Sequence, residues 1–305
     1  MKRTHLRSST NQRGSSLLLV LWAIMLMFFS VMGLVSHLSN SLDDSIREEK
    51  EFRARLLLQS AVVLSKHPAI EPGDPLLRQE VSPVAAYEVS ISTEGAHLAI
   101  NQLGTNPAQR LFAKRLFEKW GLDSRQSQSL SDAIADWIDP NDRPLAQGAE
   151  REYYAPLGRP DFPFNKPFEN IDDLMQVRGF SDLDRLRPDW RDYFTLYGDG
   201  TIDVHTAPAE ILAALFDVNQ SELGRFISAR LGPDQQRVTI DDPRFASLPE
   251  VRKLLDVPQA NYLAVSSLLT LNHPIKRTEC RARAGNLERS LTLITGPGIT
   301  LLRED

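Results

Sequence analysis

The chain has 305 residues, of which 42% are hydrophobic and 25% charged, and its formal net charge at pH 7 is −5. This length can bury a sizeable core, and the acidic balance argues against a polyanionic partner such as nucleic acid. A single cysteine, Cys280, excludes an intramolecular disulfide.

The N-terminal region has the composition of a membrane segment. Its basic residues are Lys2, Arg3, Arg7 and Arg13. The 29 residues that follow, from Gly14 to Leu42, include no Asp, Glu, Lys or Arg. A helix over 15–38 would be roughly 36 Å long, enough to cross a bilayer core of about 30 Å with some tilt. Because basic flanks stay in the cytoplasm, we expect a single-pass segment after which the remaining chain is exported.

Three interpretations of this segment remain open. A cleaved secretory signal has an apolar core of about 7–15 residues and then a small-x-small site. The segment here is longer, and no Ala-x-Ala follows it. A plain single-pass anchor fits the composition. The third interpretation places cleavage on the cytoplasmic side, between Gly14 and Ser15, so that the helix stays attached to the mature chain.

Apolar residues continue beyond the membrane segment at helical spacing. They include Leu42, Ile46, Phe52, Leu56, Leu57, Ala61 and Leu64. No Gly or Pro occurs from Leu34 to His67, and Pro68 then ends the pattern. The sequence therefore predicts one helix over 15–67, roughly 80 Å long.

A helix that lies half in lipid and half in water, followed by a globular part, resembles a type IV pilin-like subunit. In that superfamily a dedicated prepilin peptidase cuts after the Gly and leaves the helix to pack in a filament. The resemblance implies a leader over 1–14, a cleavage site at Gly14 and Ser15, and contacts with the prepilin peptidase and with inner-membrane lipid. Beyond Leu42 the chain carries 31 basic and 40 acidic residues, a net charge of −9, which suits a soluble domain beside an anionic membrane.

For the residues after the long helix, the sequence predicts strands, then a series of helices, then strands again. Residues 68–83 contain four prolines and a glycine and are predicted to form a loop. An alternating strand over 84–92 and a return over 97–103 predict a hairpin. Helical patterns follow over 108–120, 124–138, 170–177, 181–186, 206–215, 219–231 and 248–255. The last strands are predicted over 261–271, 275–284 and 287–295.

This order predicts an α+β fold, in which a pilin-like long N-terminal helix and an antiparallel sheet carry a large inserted helical domain. The expected divisions are the leader 1–14, the transmembrane and filament helix 15–67, the first pseudopilin strands 68–104, the inserted helical domain 105–258 and the C-terminal pseudopilin strands 259–305.

Four features together resemble the minor pseudopilin K family of type II secretion systems. One is Arg13-Gly14-Ser15 before the apolar run. The others are the acidic stretch 136–142 with 148–154, the segment 171–179, and the strand-to-helix segment 202–215. The resemblance implies a non-enzymatic subunit that helps to initiate and cap a periplasmic pseudopilus tip, assembled with I- and J-type minor pseudopilins. Leu19 stands where most pilins carry a Glu, which suits a tip subunit, because a buried Glu needs a cationic partner in a neighbouring subunit.

The chain departs from the family pattern in three places. Ser15 would begin the mature chain in place of the usual Phe, Arg151 replaces an acidic residue, and His205 stands where the family often has Asn.

The densest group of oxygen donors lies between the second and third predicted helices of the insert. It comprises Asp136, Asp139, Asn141, Asp142, Glu150 and Glu152. Calcium takes roughly six to eight oxygen ligands from carboxylates, carbonyls and water, but an acidic helix end with turn-forming residues has the same composition. The family resemblance implies a structural calcium ion in the helical domain. We expect Asp139, Asn141, Asp142 and Glu150 to be its ligands.

Other functional classes have less support. A tip subunit of a type IV pilus would share the same architecture. The segment Leu174-x-x-Val177-x-Gly179 resembles part of a helix-hairpin-helix, which would indicate a membrane-anchored protein for DNA uptake. Residues 169–192 are acidic overall, however, whereas phosphate contacts need positive charge, so we expect no nucleic acid partner. No His-Glu-x-x-His, Gly-x-Ser-x-Gly or phosphate-binding Gly-rich loop occurs in the sequence, so a periplasmic hydrolase has no supporting motif.

Overall fold

The computed structural model describes residues 13–236 and 238–304, with side chains from Leu17 onward. Helix α1, Arg13–Ser65, is 53 residues long, which corresponds to roughly 80 Å. The predicted single helix is therefore confirmed, while residues 1–12 of the expected leader lie outside the described part. By its length and composition, α1 is the one helix among the described residues that is able to cross a membrane.

A five-stranded antiparallel sheet packs against the C-terminal part of α1, with the strand order β1-β2-β7-β8-β9. Its strands are β1, Arg78–Ser82; β2, Ala85–Thr93; β7, Lys276–Ala284; β8, Leu287–Gly296; and β9, Ile299–Glu304. The central register places Val89 opposite Cys280, and Cys280 opposite Leu291. Residues directly opposite one another on neighbouring strands point to the same face of a sheet, so Val89, Cys280 and Leu291 share the face that meets the helix.

One face of α1 is buried by this sheet and another is not. Ala54, Leu58 and Ala61 are buried against the sheet, and the two alanines allow a close approach of the backbones. Phe52 and Leu56 remain 68% and 53% exposed. The C-terminal half of the helix thus has a second apolar side that its own sheet does not cover.

Two predictions around the first strands are wrong. Residues 78–82 form strand β1, although the four prolines of 68–83 indicated a loop throughout. Residues 97–103 do not return beside β2, because the two edges of β2 pair with β1 and with the distant strand β7. Instead β3, Leu98–Ala99, pairs in parallel with β4, Phe194–Thr195.

The helical domain (residues 107–268) lies between β3 and the final strands of the sheet. Its helices are α2, Pro107–Lys119; α3, Ser124–Ile138; α4, Arg151–Tyr154; α5, Phe180–Leu186; α6, Ala209–Phe216; α7, Gly224–Arg230; α8, Leu248–Leu254; and α9, Gln259–Val265. Two further short strands, β5, Ile202–Asp203, and β6, Leu269–Thr270, pair in parallel at its edge. The predicted α+β class is confirmed.

Local signals explain where the main helices of this domain begin. The side chain of Asn106 accepts hydrogen bonds from the first backbone amides of α2, with Pro107 in its first turn. Asp123 and Gln126 form a reciprocal capping box at the start of α3. Both helices then bury one face in a core that includes Phe112, Phe117 and Trp137.

The strand predicted over 261–271 is wrong. Residues 259–265 form α9, a 3₁₀ turn follows over Ser266–Leu268, and only Leu269–Thr270 is extended. The buried residues Val265, Leu268 and Leu269 recur at helical spacing, and Tyr262 stacks on Phe216 of α6 with the rings 6.2 Å apart. The hairpin predicted over 275–295 is confirmed as β7 and β8.

Two neighbouring segments connect the sheet to the helical domain. The backbone amide of Glu94, directly after β2, donates to the carbonyl of Ile275, directly before β7. The buried carboxylate of Glu94 accepts hydrogen bonds from Thr195 of β4 and from Arg277 of β7. Burial raises the pKa of Glu94, and its bonds to Thr195 and Arg277 oppose that rise. The Glu94 side chain therefore links the sheet to the helical domain at a polar junction.

Candidate functional site

The acidic stretch singled out in the sequence begins at the end of α3. Asp136 lies in the last turn of this helix and Asp139 is its C-terminal cap residue. Three residues apart on a helix, the two side chains project from the same face. Both are therefore directed to one side of the helix end.

The chain after α3 turns back along the helix. The backbone amide of Leu145 donates to the Asp136 carboxylate over 3.1 Å, and the amide of Gln147 donates to Asp132 over 3.1 Å. These bonds hold the returning segment against the acidic face of α3. Glu150, at the end of that segment, is thereby brought next to Asp136 and Asp139.

Carboxylate oxygens of Asp136, Asp139 and Glu150 all lie within 4.8 Å of one another. Asp136 is completely buried and Glu150 is 2% exposed. Neither oxygen of Glu150 has a hydrogen-bond partner in the described part of the chain. A buried carboxylate without donors is unfavourable, so this arrangement fits a bound cation that supplies the missing positive charge.

The pKa values agree with this geometry. Burial, followed by the charges of Asp136, Asp139 and Asp142, raises the pKa of Glu150 to about 8. Burial is also the main reason that the pKa of Asp136 is raised to about 6, against hydrogen bonds from the amides of Leu145 and Ala149. Oxygen ligands of this kind suit a hard divalent cation such as calcium.

Two of the four predicted ligands, Asp139 and Glu150, belong to the carboxylate cluster. The side-chain amide of Asn141 donates to Asp139 over 2.7 Å, while its oxygen accepts from the amide of Arg143. Asp142 accepts from the side chain of Asn165 over 2.9 Å. Asn141 and Asp142 therefore have partners within the loop.

Asp136 belongs to the carboxylate cluster but was not among the predicted ligands, although it stood in the acidic stretch. The signal that indicates it is its spacing of three residues from Asp139 at a helix end. Glu152 lies exposed on α4 and takes no part in the cluster.

An aromatic wall supports the carboxylate cluster from one side. Trp137, between the two aspartates in sequence, is buried and stacks parallel to Phe168 with the rings 5.7 Å apart. Tyr154, four residues after Glu150, meets Trp137 edge to face at 5.8 Å. This packing fixes the end of α3 and the start of α4, the elements that carry the three carboxylates.

A second acidic group, formed by Asp234, Asp241 and Asp242, has a different character. Asp241 accepts from the amide of Asp234, and Asp242 accepts from the amide of Val238. Asp234 and Asp241 are exposed. These hydrogen bonds satisfy the carboxylates and stabilise the turn without a bound cation. The cluster at the end of α3 is therefore the stronger candidate for a metal site.

Comparison with known proteins gives the same assignment as the motifs. Residues 96–188, which include the carboxylate cluster, match a family model described as type II secretion system (T2SS), protein K. A type II secretion system protein K of Klebsiella pneumoniae is 29% identical over 185 residues, covering 55% of this chain and 54% of that protein. Over these residues the chain is similar to type II secretion system protein K.

A second relative and a solved structure complete the comparison. The type II secretion system protein K of Pseudomonas aeruginosa is 30% identical over 122 residues, covering 38% of this chain and 35% of that protein. The chain thus spans about half the length of the first relative and about a third of the second. In the crystal structure of the GspK-GspI-GspJ complex of enterotoxigenic Escherichia coli, the similar chain has a TM-score of 0.56 and 14% identity. The likeness covers 88% of this chain and 97% of that one, and it concerns the fold.

The other protein K features have local structures of their own. The segment 202–215 forms β5, a turn and α6, with Pro208 as the N-terminal cap residue. His205 bridges this turn to its surroundings: Nδ1 lies 3.0 Å from the carbonyl of Leu271, and Nε2 accepts from the amide of Phe245. Gly14 and Ser15 lie in the first turn of α1, and their side-chain surroundings are outside the described part.

Proposed function

We propose that this chain is a minor pseudopilin of type II secretion, which helps to initiate and cap the tip of a periplasmic pseudopilus. One observation carries this proposal. In a chain similar to type II secretion system protein K, a single 53-residue helix is apolar over its first half and packs on an antiparallel sheet over its second half. The membrane-inserted and filament-forming functions are thereby combined in one rigid element.

The proposed partners are I- and J-type minor pseudopilins, which together with this chain would form a tip complex. Two observations support them. The similar solved chain belongs to a GspK-GspI-GspJ complex. In addition, the outer side of α1 carries exposed apolar residues well beyond the membrane segment, including Ile46, Phe52, Leu56 and Val63. Burial of such residues against neighbouring helices stabilises an assembly by about 25 cal/mol per Å² of apolar surface.

The tip position is supported by the size of the helical domain and by Leu19. A subunit that lacks the usual Glu in its membrane helix has no carboxylate to pair with the N-terminal amine of a neighbour. The bulk of the helical domain would also prevent another subunit from stacking above it. The proposed role is structural rather than enzymatic.

We place the chain in the inner membrane, with the N-terminus in the cytoplasm and the helical domain in the periplasm. The basic residues before α1 and the acidic balance after it support this orientation. Processing by the prepilin peptidase between Gly14 and Ser15 would release the leader on the cytoplasmic side and leave α1 intact.

A structural calcium ion bound by Asp136, Asp139 and Glu150 is part of the proposal. The two unpartnered oxygens of Glu150 support it most directly, since burial without a counter-charge would oppose folding. Three carboxylates supply fewer oxygens than the six to eight that calcium usually takes, so water or loop carbonyls would complete the shell. The ion would fix the end of α3 to the start of α4.

Assembly is tested by co-expression with the I- and J-type subunits and purification of the complex from membranes. We expect the wild-type chain to co-purify with both. Leu56→Glu, on the open side of α1, should reduce co-purification at least tenfold, because it places a charge in the helix contact. The matched control is Leu263→Glu on α9, where Leu263 is 59% exposed, and it should have no effect. Detection of the chain at repeated positions along pseudopilus shafts would contradict the tip assignment.

A further inference from the structure

An open pocket of about 300 Å³ lies on the helical domain, between α3 and the beginning of α5. Its polar lining is formed by the side chains of Arg125, Gln126, Ser129, Gln147, Arg178 and Asp182. The pocket is separate from the carboxylate cluster, although the two share one segment: Gln147 lines the pocket, while the next residue, Gly148, packs on Asp136.

Arg178 is held in place by the surrounding structure. One of its guanidinium nitrogens, Nη1, donates to the carbonyl of Gly148 over 3.0 Å. The guanidinium lies 4.7 Å from the ring centre of Tyr153, and the backbone amide of Arg178 donates to the hydroxyl of Tyr154 over 3.1 Å. An arginine fixed in this way loses little conformational entropy when its remaining donors bind a ligand.

Arg125 supplies a second positive charge from the first turn of α3. Within the described residues, its side chain makes no hydrogen bond or ion pair. The acidic residue on the rim of the pocket, Asp182, is paired with Arg185. Two arginines therefore line the same concave surface of a protein whose net charge is −5.

The backbone leaves room for a ligand between the arginines. Gly179 has φ +80°, a conformation that favours glycine, and a Cβ added there would meet no atom within 4 Å. The chain at this point is thus open to the pocket rather than packed against a neighbouring element. A small planar anion would meet no bulky side chain at Gly179.

We propose that this pocket binds a carboxylate, presented either by a small dicarboxylic acid or by an acidic side chain of a peptide segment. The planar guanidinium fork matches two carboxylate oxygens, and charge-assisted hydrogen bonds of this type are among the stronger polar contacts. This site does not depend on the pseudopilin role proposed above.

The test measures binding by calorimetry on the full chain in detergent micelles, at a fixed calcium concentration. The probes are succinate and a capped Gly-Asp-Glu-Gly peptide, and the corresponding Asn-Gln peptide serves as the uncharged reference. Saturable binding of succinate alone identifies a small acid as the ligand. Saturable binding of the acidic peptide identifies a protein segment.

The variants distinguish specific binding in the pocket from nonspecific electrostatic attraction to the protein surface. Arg125→Gln should weaken binding about tenfold, as expected for the loss of one charge-assisted contact, and Arg178→Gln should weaken it at least as much. Asp182→Asn, which removes the negative charge at the rim, should tighten it. Arg225→Gln, at a side chain 64% exposed on α7, is the matched control and should leave binding unchanged.

Failure of both probes to saturate at millimolar concentration would overturn the proposal. Equal weakening by Arg125→Gln and Arg225→Gln would also overturn it, because the attraction would then come from overall charge. Arg125 is exposed and its substitution leaves the core untouched, so that variant stays informative if Arg178→Gln folds poorly.

Discussion

Gly148 packs directly on the Asp136 carboxylate: a Cβ added at Gly148 would lie 1.8 Å from Asp136 Oδ2. The returning segment after α3 can approach the acidic helix end this closely only because residue 148 has no side chain. Gly148 also offers its carbonyl to Arg178, so the same backbone position links the carboxylate cluster to the neighbouring pocket.

Gly148→Ala should therefore destabilise the helical domain. The inserted methyl group must displace either a buried carboxylate or the returning segment, and overpacking of this kind costs about 1–3 kcal/mol. The measurement is the free energy of unfolding from denaturant titration. Gly224→Ala is the matched control, because Gly224 has helical φ of −52° and nothing within 4 Å of an added Cβ. It should be neutral or stabilising by about 0.5–1 kcal/mol. Equal stability of Gly148→Ala and the wild type would contradict the close packing.

Stability should depend on pH in the absence of a cation. The pKa of Glu150 is raised to about 8 in the folded chain, so the folded state binds a proton more tightly than the unfolded state does. The resulting stabilisation is fully present below the unfolded value of about 4.5 and is lost as pH rises through about 8. Asp136, with its pKa raised to about 6, acts in the same direction. The melting temperature in EDTA should therefore fall between pH 5 and pH 8.

Calcium should remove this dependence. At about one hundred times its dissociation constant a ligand adds about 2.7 kcal/mol, equivalent to a rise in melting temperature of roughly 5–10 °C for a domain of this size. Glu150→Gln should abolish both the response to calcium and most of the fall with pH. Glu152→Gln, at the exposed neighbouring position, should behave as wild type. An identical melting temperature with calcium and with EDTA at pH 8 would rule out the cation site.

Arg187→Lys should destabilise the helical domain, although the substitution keeps the positive charge. The Arg187 guanidinium lies over Trp120 and Tyr193, at 5.0 and 4.8 Å from their ring centres, and bonds to Glu210 through both terminal nitrogens. Lysine cannot reproduce this fork, so we expect a loss of about 1–2 kcal/mol in the free energy of unfolding.

Arg185→Lys provides the control for this comparison. Arg185 is 74% exposed, forms an ion pair with Asp182 three residues earlier on the same helix, and donates to the backbone carbonyl of Ser181. Exposed pairs of this type contribute little, so the change should be close to zero. Similar losses of unfolding free energy for the two variants would show that the stacking of Arg187 on Trp120 and Tyr193 contributes nothing to stability.

Gly14→Val should block processing of the N-terminus. The proposed peptidase cuts directly after Gly14, and a branched side chain at that position would not fit a site that accepts glycine. Intact-mass measurement of the membrane-purified chain should give Ser15 as the first residue of the wild type and retention of the leader in Gly14→Val. Gly33→Ala, farther along α1, should be processed normally. A wild-type chain that keeps its leader, or that begins beyond Ser39, would exclude this mode of cleavage.

Much of the fold follows from local pattern. The uninterrupted run from Leu34 to His67 predicts α1, and helical periodicity over 108–120 and 124–138 predicts α2 and α3. The errors arise where pairing is distant. The sequence predicts that β2 pairs with the segment just after it, yet its two partners are β1, just before it, and β7, which comes after the whole helical domain. No short-range signal shows the pairing with β7.

The candidate site was predictable to a similar degree. The density of acidic residues locates the end of α3, and two of the four expected ligands lie in the cluster. The choice among them depends on which backbone amides and side chains satisfy each oxygen. Asn141 and Asp142 are engaged within their own loop, whereas Glu150 has no donor among the described residues. That distinction requires three-dimensional contacts.

The register of the sheet has a consequence for the order of folding. Val89 of β2 pairs with Cys280 of β7, and β7 in turn needs β8, near the end of the chain. As the chain is synthesised, β2 must therefore remain unpaired on one edge until β7 and β8 have emerged. The helical domain, whose contacts are more local, is able to form during that interval. Its early formation would bring the two ends of the sheet segments together and so shorten the search that completes the subunit.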